Sequence, residues 1–111
     1  MTVAYFALSA LDLLGVLDAK VPRDEQDEYI DWIYAQQLSE DEGGGFAPGP
    51  FLRKDRQPCA SAAEAACKRQ GNLAMTYTAL LNLAILRDDF SRLDVPGLRR
   101  HLRALQQEDG R

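Results

Sequence analysis

The sequence predicts an all-α fold made of helical hairpins, on three observations. The stretch Asn72-Leu-Ala-Met-Thr-Tyr-Thr-Ala-Leu-Leu-Asn-Leu-Ala-Ile-Leu86 carries no charge and no helix breaker, the pattern of a helix buried on all sides. Residues 3–17 are a second stretch of the same kind. Each is followed by a one-sided amphipathic pattern, the outer layer that a buried helix needs. At fifteen residues the 72–86 stretch is too short to span a membrane, which takes ~20 apolar residues.

Thr2 is expected to N-cap a first helix that begins at Val3. Val3, Phe6, Ala7, Ala10, Leu11, Leu14 and Leu17 keep helical spacing, with Ser9 and Asp12 the only polar residues before Asp18. Asp18 to Pro22 is a short connection, and Pro22 stands where a first helical turn tolerates proline. The acidic cluster Asp24, Glu25, Asp27 and Glu28 suits the positive end of the next helix. Its stripe is Ile30, Ile33, Tyr34, Gln37 and Leu38, with Trp32 beside it.

From Ser39 to Pro58 every period breaks. Gly43-Gly44-Gly45-Phe46 and Pro48-Gly49-Pro50-Phe51 cannot continue a helix. The glycines are not read as a phosphate loop, because the Lys-Ser/Thr ending and a preceding strand are missing. Phe46 and Phe51 are expected to anchor the loop on the core. Residues 59–70 favour helix but offer little bulk to bury. Gly71 ends that segment and Asn72 caps the apolar helix. Asp94 caps a last helix, striped by Val95, Leu98, Leu102 and Leu105, and Gly110 marks its stop.

A chain of 111 residues is one domain's worth, with an ordinary globular composition of 46% hydrophobic and 27% charged residues. A net charge of −4 supplies no footprint for nucleic acid. Arg99, Arg100 and Arg103, interleaved with leucines, read as a solvated helix face. Cys59 and Cys67, eight apart with no histidine near, do not match zinc spacing and read as free thiols. His101, the single histidine, is expected at the surface or rim. The N-terminus lacks a basic region ahead of its apolar run, so no signal peptide is expected and the setting is read as cytoplasmic.

The order of apolar helix, amphipathic helix and glycine-rich loop then recurs. Pairing Ala4 with Ala74 matches Leu11 with Leu81, Leu13 with Leu83 and Asp18 with Asp88. This gives about two repeats: repeat 1 about 3–46, a loop or insertion 47–71, and repeat 2 about 72–110. Such units cannot bury their faces alone and must stack or close into a ring. The chain stops where the first unit continues through glycines into Phe46, so part of a larger ring is expected.

Ala4-Tyr-Phe-Ala-Leu-Ser-Ala-Leu-Asp-Leu-Leu14, Leu73-Ala-Met-Thr-Tyr-Thr-Ala-Leu80, Ile85-Leu-Arg-Asp-Asp-Phe-Ser-Arg-Leu-Asp94, Leu102 to Gly110 and Trp32-Ile-Tyr34 resemble the β subunits of the Cys-a-a-X protein prenyltransferases, geranylgeranyltransferase type I above all. The resemblance covers most of the chain except residues 48–70. It implies an α/α toroid, with 3–17 and 73–86 as inner helices around an apolar cavity and 25–38 and 95–107 as outer ones. It implies transfer of geranylgeranyl from geranylgeranyl diphosphate to the cysteine of C-terminal Cys-a-a-X motifs, with a separate prenyltransferase α subunit as partner. It also implies zinc, which holds the acceptor cysteine as the nucleophilic thiolate.

The residues that hold zinc and diphosphate in the family have no counterparts in this chain, so Cys59, Cys67 and His101 are not promoted to ligands and no catalytic residue is assigned. What the resemblance does carry over is part of the acceptor-peptide wall. Thr2 and Phe6 match a Thr and a Phe that touch the last peptide side chains, and Ala74 matches an Ala of the terminal pocket. Asn72 stands where animal enzymes have a His. Capping competes as the role of Thr2 and Asn72, and plain core packing as that of Phe6 and Ala74. The 111 residues alone are expected neither to bind catalytic zinc nor to turn over substrate. The alternatives are a non-catalytic helical-repeat interaction module, or the β subunit of a farnesyl- or Rab-type relative.

Overall fold

Two inner helices lie side by side, each followed by an outer helix that packs back against them. The computed structural model describes residues 1–48 and 71–111. Its elements are α1 (Thr2–Leu13), α2 (Leu17–Lys20), α3 (Arg23–Ala35), a 3-10 turn (Glu40–Glu42), α4 (Leu73–Ile85) and α5 (Val95–Leu105). The fold is all-α, with no strand among the described residues beyond one isolated bridge between Gln37 and Phe46. The expected 59–70 helix, the thiols of Cys59 and Cys67 and the Phe51 anchor lie outside the described residues.

The first inner helix is shorter than its apolar run suggests. Leu14 ends α1, and Gly15 takes a positive φ of 71°. The Gly15 N–H donates to the Asp12 carbonyl at 2.9 Å and the Val16 N–H to the Leu11 carbonyl at 3.0 Å. This is the Schellman arrangement, which satisfies the last carbonyls of a helix. Leu17 starts a separate turn, so 3–17 is not one helix. Thr2 lies inside α1 and is not its cap.

The second inner helix ends the same way. Arg87 adopts φ 58°, its N–H donates to the Ala84 carbonyl at 3.1 Å, and the Asp88 N–H donates to the Leu83 carbonyl at 3.0 Å. The matched caps put Gly15 opposite Arg87, and Pro22 before α3 falls opposite Asp94 before α5. Both spacings are 72 residues, where the pairing of Ala4 with Ala74 implies 70. At 72, Tyr5, Ala7, Leu8, Leu11 and Leu14 meet identical residues in Tyr77, Ala79, Leu80, Leu83 and Leu86.

The core gathers Leu8, Leu17, Val21, Ile30, Ile33, Phe46, Ala79, Leu83 and Leu86. As expected, Ile30 and Ile33 turn the stripe of α3 inward and Phe46 anchors the glycine-rich segment. The start of α3 meets the end of α4, where the Arg23 guanidinium donates to the Leu86 carbonyl at 3.1 Å. The segment after α3 reaches the start of α4, where the Phe46 N–H donates to Thr76 Oγ1 at 3.1 Å. Between them the Tyr34 hydroxyl donates to Asp88 Oδ2 at 2.5 Å, and the Arg92 guanidinium lies 4.3 Å over the Tyr34 ring.

Neither inner helix is buried all round. In α1 only Leu8 is fully buried, and in α4 Leu73, Ala74, Tyr77 and Ala84 are exposed. Among the described residues each inner helix has one inner neighbour, and none of them covers the opposite side of either. The last helix is turned the other way from its stripe. Gly97 and His101 face inward, while Val95, Leu102 and Leu105 line an open groove with Leu73. A slim side on α5 is what the packed glycine segment requires.

Candidate functional site

The start of α1 lies against α4, reaching from the first turn of α4 to its third. The Thr2 hydroxyl reaches Met75 Sδ at 3.6 Å, and Asn82 Nδ2 reaches the Met1 carbonyl at 3.4 Å. Of the four residues that the resemblance assigns to the peptide wall, Thr2 takes part in this contact, Phe6 follows it one turn on in α1, and Asn72 and Ala74 stand at the start of α4. Phe6, one turn on from Thr2, is 65% exposed, and its ring sits tilted at 44° against Tyr5, 5.6 Å between centroids. Asn72 caps α4 through Oδ1, which accepts the Ala74 N–H at 2.8 Å. Ala74 is exposed in the first turn of α4. Plain core packing therefore does not describe Phe6 or Ala74, whereas capping does describe Asn72.

The chemistry available here is apolar contact with a few polar handles. An aromatic ring left in water at a helix junction gains ~1.5–3 kcal/mol when a ligand's apolar side chain covers it. The Thr2 hydroxyl and the Asn72 amide supply hydrogen-bonding atoms at the same end. No charged side chain belongs to the set, so these four residues offer shape and apolar area rather than charge.

Behind the wall lies a polar seam that the sequence reading missed. His101 is 5% exposed, not at the rim. Its Nε2 stands 3.5 Å from Thr76 Oγ1, the atom that accepts the Phe46 N–H. Burial lowers the His101 pKa below its ordinary value, and a hydrogen bond with the Gly43 backbone opposes that shift. The imidazole faces two glycines: a Cβ on Gly45 would stand 2.7 Å from its Cδ2, and one on Gly71 3.2 Å from its Cε1. Gly44 and Gly45 thus form a close-packed strap over α4 and α5.

His101 does not fit a metal among the described residues, where its ring is enclosed by this strap and no acidic or thiol side chain joins it. Among the described residues no three histidine, cysteine or acidic side chains converge on a common point. No helix among them is long and apolar enough to cross a membrane.

A family model described as the prenyltransferase alpha-alpha toroid domain matches residues 1–111. No solved structure matches the chain. The match covers the whole chain and agrees with the inner-and-outer helix order.

Proposed function

We propose, from the premise that the chain belongs to the prenyltransferase alpha-alpha toroid family, that it forms the N-terminal part of the β subunit of a Cys-a-a-X protein geranylgeranyltransferase. Family membership supports a transferase type of reaction and a repeat architecture. The finer reading, geranylgeranyl transfer by a type I enzyme, rests on the residue resemblance.

The observation that carries it is the exposed ring of Phe6 on α1, one turn on from the contact of Thr2 with Met75 of α4. In this reading Phe6 packs against the last apolar side chains of the acceptor. Thr2 flanks it, and Asn72 and Ala74 shape the pocket for the terminal residue. The reaction joins the acceptor cysteine Sγ to C1 of the prenyl chain and releases diphosphate. Zinc is expected of the enzyme, but the described residues do not fit it, and the wall acts by binding and orienting the peptide. The α subunit, geranylgeranyl diphosphate and a cytoplasmic setting are parts of the same proposal.

The test co-expresses the chain with a prenyltransferase α subunit and places a photo-crosslinking phenylalanine analogue at Phe6. Labelling of a peptide ending in Cys-a-a-Leu, displaced by unlabelled peptide, is the expected result. Equal labelling of a scrambled peptide removes the wall assignment. Substituting farnesyl for geranylgeranyl diphosphate in a transfer assay with the complete enzyme separates the type I reading from the farnesyl one.

A further inference from the structure

The start of α4 is held from behind by a ring that belongs to α5. His101 Nε2 stands 3.5 Å from Thr76 Oγ1, and the ring also hydrogen-bonds with the Gly43 backbone. Thr76 is 1% exposed, and its Oγ1 accepts the Phe46 N–H at 3.1 Å. The Thr76 N–H donates to the Asn72 carbonyl at 2.8 Å, and Asn72 Oδ1 in turn accepts the Ala74 N–H. A continuous path of contacts therefore runs from His101 through Thr76 to Asn72 and Ala74.

A second path reaches the same place. Gly71 is buried and immediately precedes Asn72. A Cβ there would stand 2.8 Å from the Gly44 carbonyl oxygen, 3.2 Å from His101 Cε1 and 3.3 Å from the Phe46 nitrogen. The backbone entering α4 is thus packed against both the strap and the imidazole. Asn72 and Ala74 are themselves exposed, so their placement depends on what lies beneath them. The imidazole brings polar atoms to Gly43 and Thr76, which an apolar side chain of similar bulk would not.

We propose, resting on the reading of Asn72 and Ala74 as peptide wall, that His101 is a positioning residue for acceptor selectivity. Through Thr76 and Gly71 it fixes the pocket that takes the terminal residue of the acceptor. His101 is buried behind the wall and touches no substrate, so its effect is geometric. A site that selects by shape needs its walls held to within ~0.5 Å. A displacement of ~1 Å costs as much as ~100-fold in rate.

The quantity to measure in the complete enzyme is the kcat/KM ratio between otherwise identical peptides ending in Leu and in Ala. His101→Leu is expected to lower that ratio about tenfold, chiefly through the Leu peptide. His101→Gln keeps a polar end facing Thr76 and is expected to restore most of it. In the 111-residue chain, hydrogen exchange at the Ala74 N–H is expected to speed up in His101→Leu. Tyr34→Phe loosens a different contact, and is expected to lower stability while changing neither reading. Should His101→Leu fail to fold, Thr76→Val is expected to give the same two results.

A wild-type preference for Leu that survives these substitutions overturns the proposal and leaves the peptide wall standing. A wild-type enzyme without that preference removes the wall, and the proposal with it. Unchanged exchange at Ala74 overturns the proposal as well. So does an equal loss of preference in Tyr34→Phe, which would mark a general loosening.

Discussion

Gly44 and Gly97 meet backbone to backbone: a Cβ on Gly44 would fall on the Gly97 carbonyl. Gly44 also holds φ +73°, a conformation that costs a residue with a side chain ~1–2 kcal/mol. Gly44→Ala must meet that cost and also push the strap away from α5. The expected loss is ~2–4 kcal/mol. Gly43 has φ +98° but open space around it, so Gly43→Ala is expected to cost only ~1–2 kcal/mol. Urea unfolding of both variants measures the difference. Equal losses would mean that the close approach of the strap to α5 contributes nothing.

His101 makes stability depend on pH in a direction that can be worked out. Burial lowers its pKa in the folded chain, whereas unfolded His titrates near ~6.5. Below that value the unfolded chain binds the proton more readily, so falling pH favours unfolding. The contribution is fully present above the unfolded pKa and is lost as pH falls through the folded one. The urea midpoint is expected to drop as pH falls below the ordinary histidine range, and His101→Gln to flatten that part of the profile. An unchanged slope in the variant would assign the drop to other groups.

Asn82 is 0% exposed, and its Oδ1 has no hydrogen-bond partner. Its Nδ2 makes only long contacts to Met1, whose carbonyl also accepts the Tyr5 N–H at 3.1 Å. An orphaned buried acceptor costs ~1–3 kcal/mol, and an apolar replacement of similar shape removes that cost. Asn82→Leu is therefore expected to stabilise the chain by ~1 kcal/mol, read as a rise in thermal midpoint. A fall would mean that the Met1 contacts outweigh the orphan.

Tyr34 fastens the outer helix to the turn after α4. Burial, followed by the hydrogen bond to Asp88, raises its pKa far above the usual tyrosine value, so it remains a donor across the working pH range. Tyr34→Phe keeps the ring under Arg92 and removes only the hydroxyl. A hydrogen bond to a charged acceptor is worth ~1.5–3 kcal/mol, and partial exposure of Asp88 places the expected loss near the lower end. Asp88→Asn in the same background should add little if the pair acts as a unit.

Much of this fold is legible in local chemistry, and the exceptions have identifiable causes. Asn72 and Asp94 are read correctly as caps because a capping side chain acts within its own turn. Phe46 is read correctly because a large ring between glycines has only the core to enter. The end of α1 is missed because Leu13, Leu14, Val16 and Leu17 keep the run apolar across Gly15. The apolar pair Leu11 and Val16 flanking that glycine is the Schellman signal that was available. The end of α4 gives no such signal, since Arg87 takes a conformation usually reserved for glycine. His101 is misplaced because an apolar stripe such as that of α5 is expected to face inward. That inference fails when small residues are needed opposite a tightly packed strap.

Phe6 separates binding from stability. At 65% exposure its ring contributes little to the folded chain, and Phe6→Ala is expected to move the unfolding free energy by no more than ~0.5 kcal/mol. If the ring packs on the acceptor's last side chains, the same change removes ~1.5–3 kcal/mol of apolar burial from the complex. That corresponds to roughly a ten- to hundredfold weaker peptide dissociation constant. Fluorescence anisotropy with a labelled Cys-a-a-Leu peptide, on the chain co-expressed with a prenyltransferase α subunit as proposed, reads the affinity directly. Ala84→Asp, exposed on the far end of α4, is the control that should leave peptide binding unchanged. A Phe6→Ala protein that binds peptide normally would take the acceptor off this wall. Loss of binding together with a stability loss of several kcal/mol would show that the ring belongs to the core.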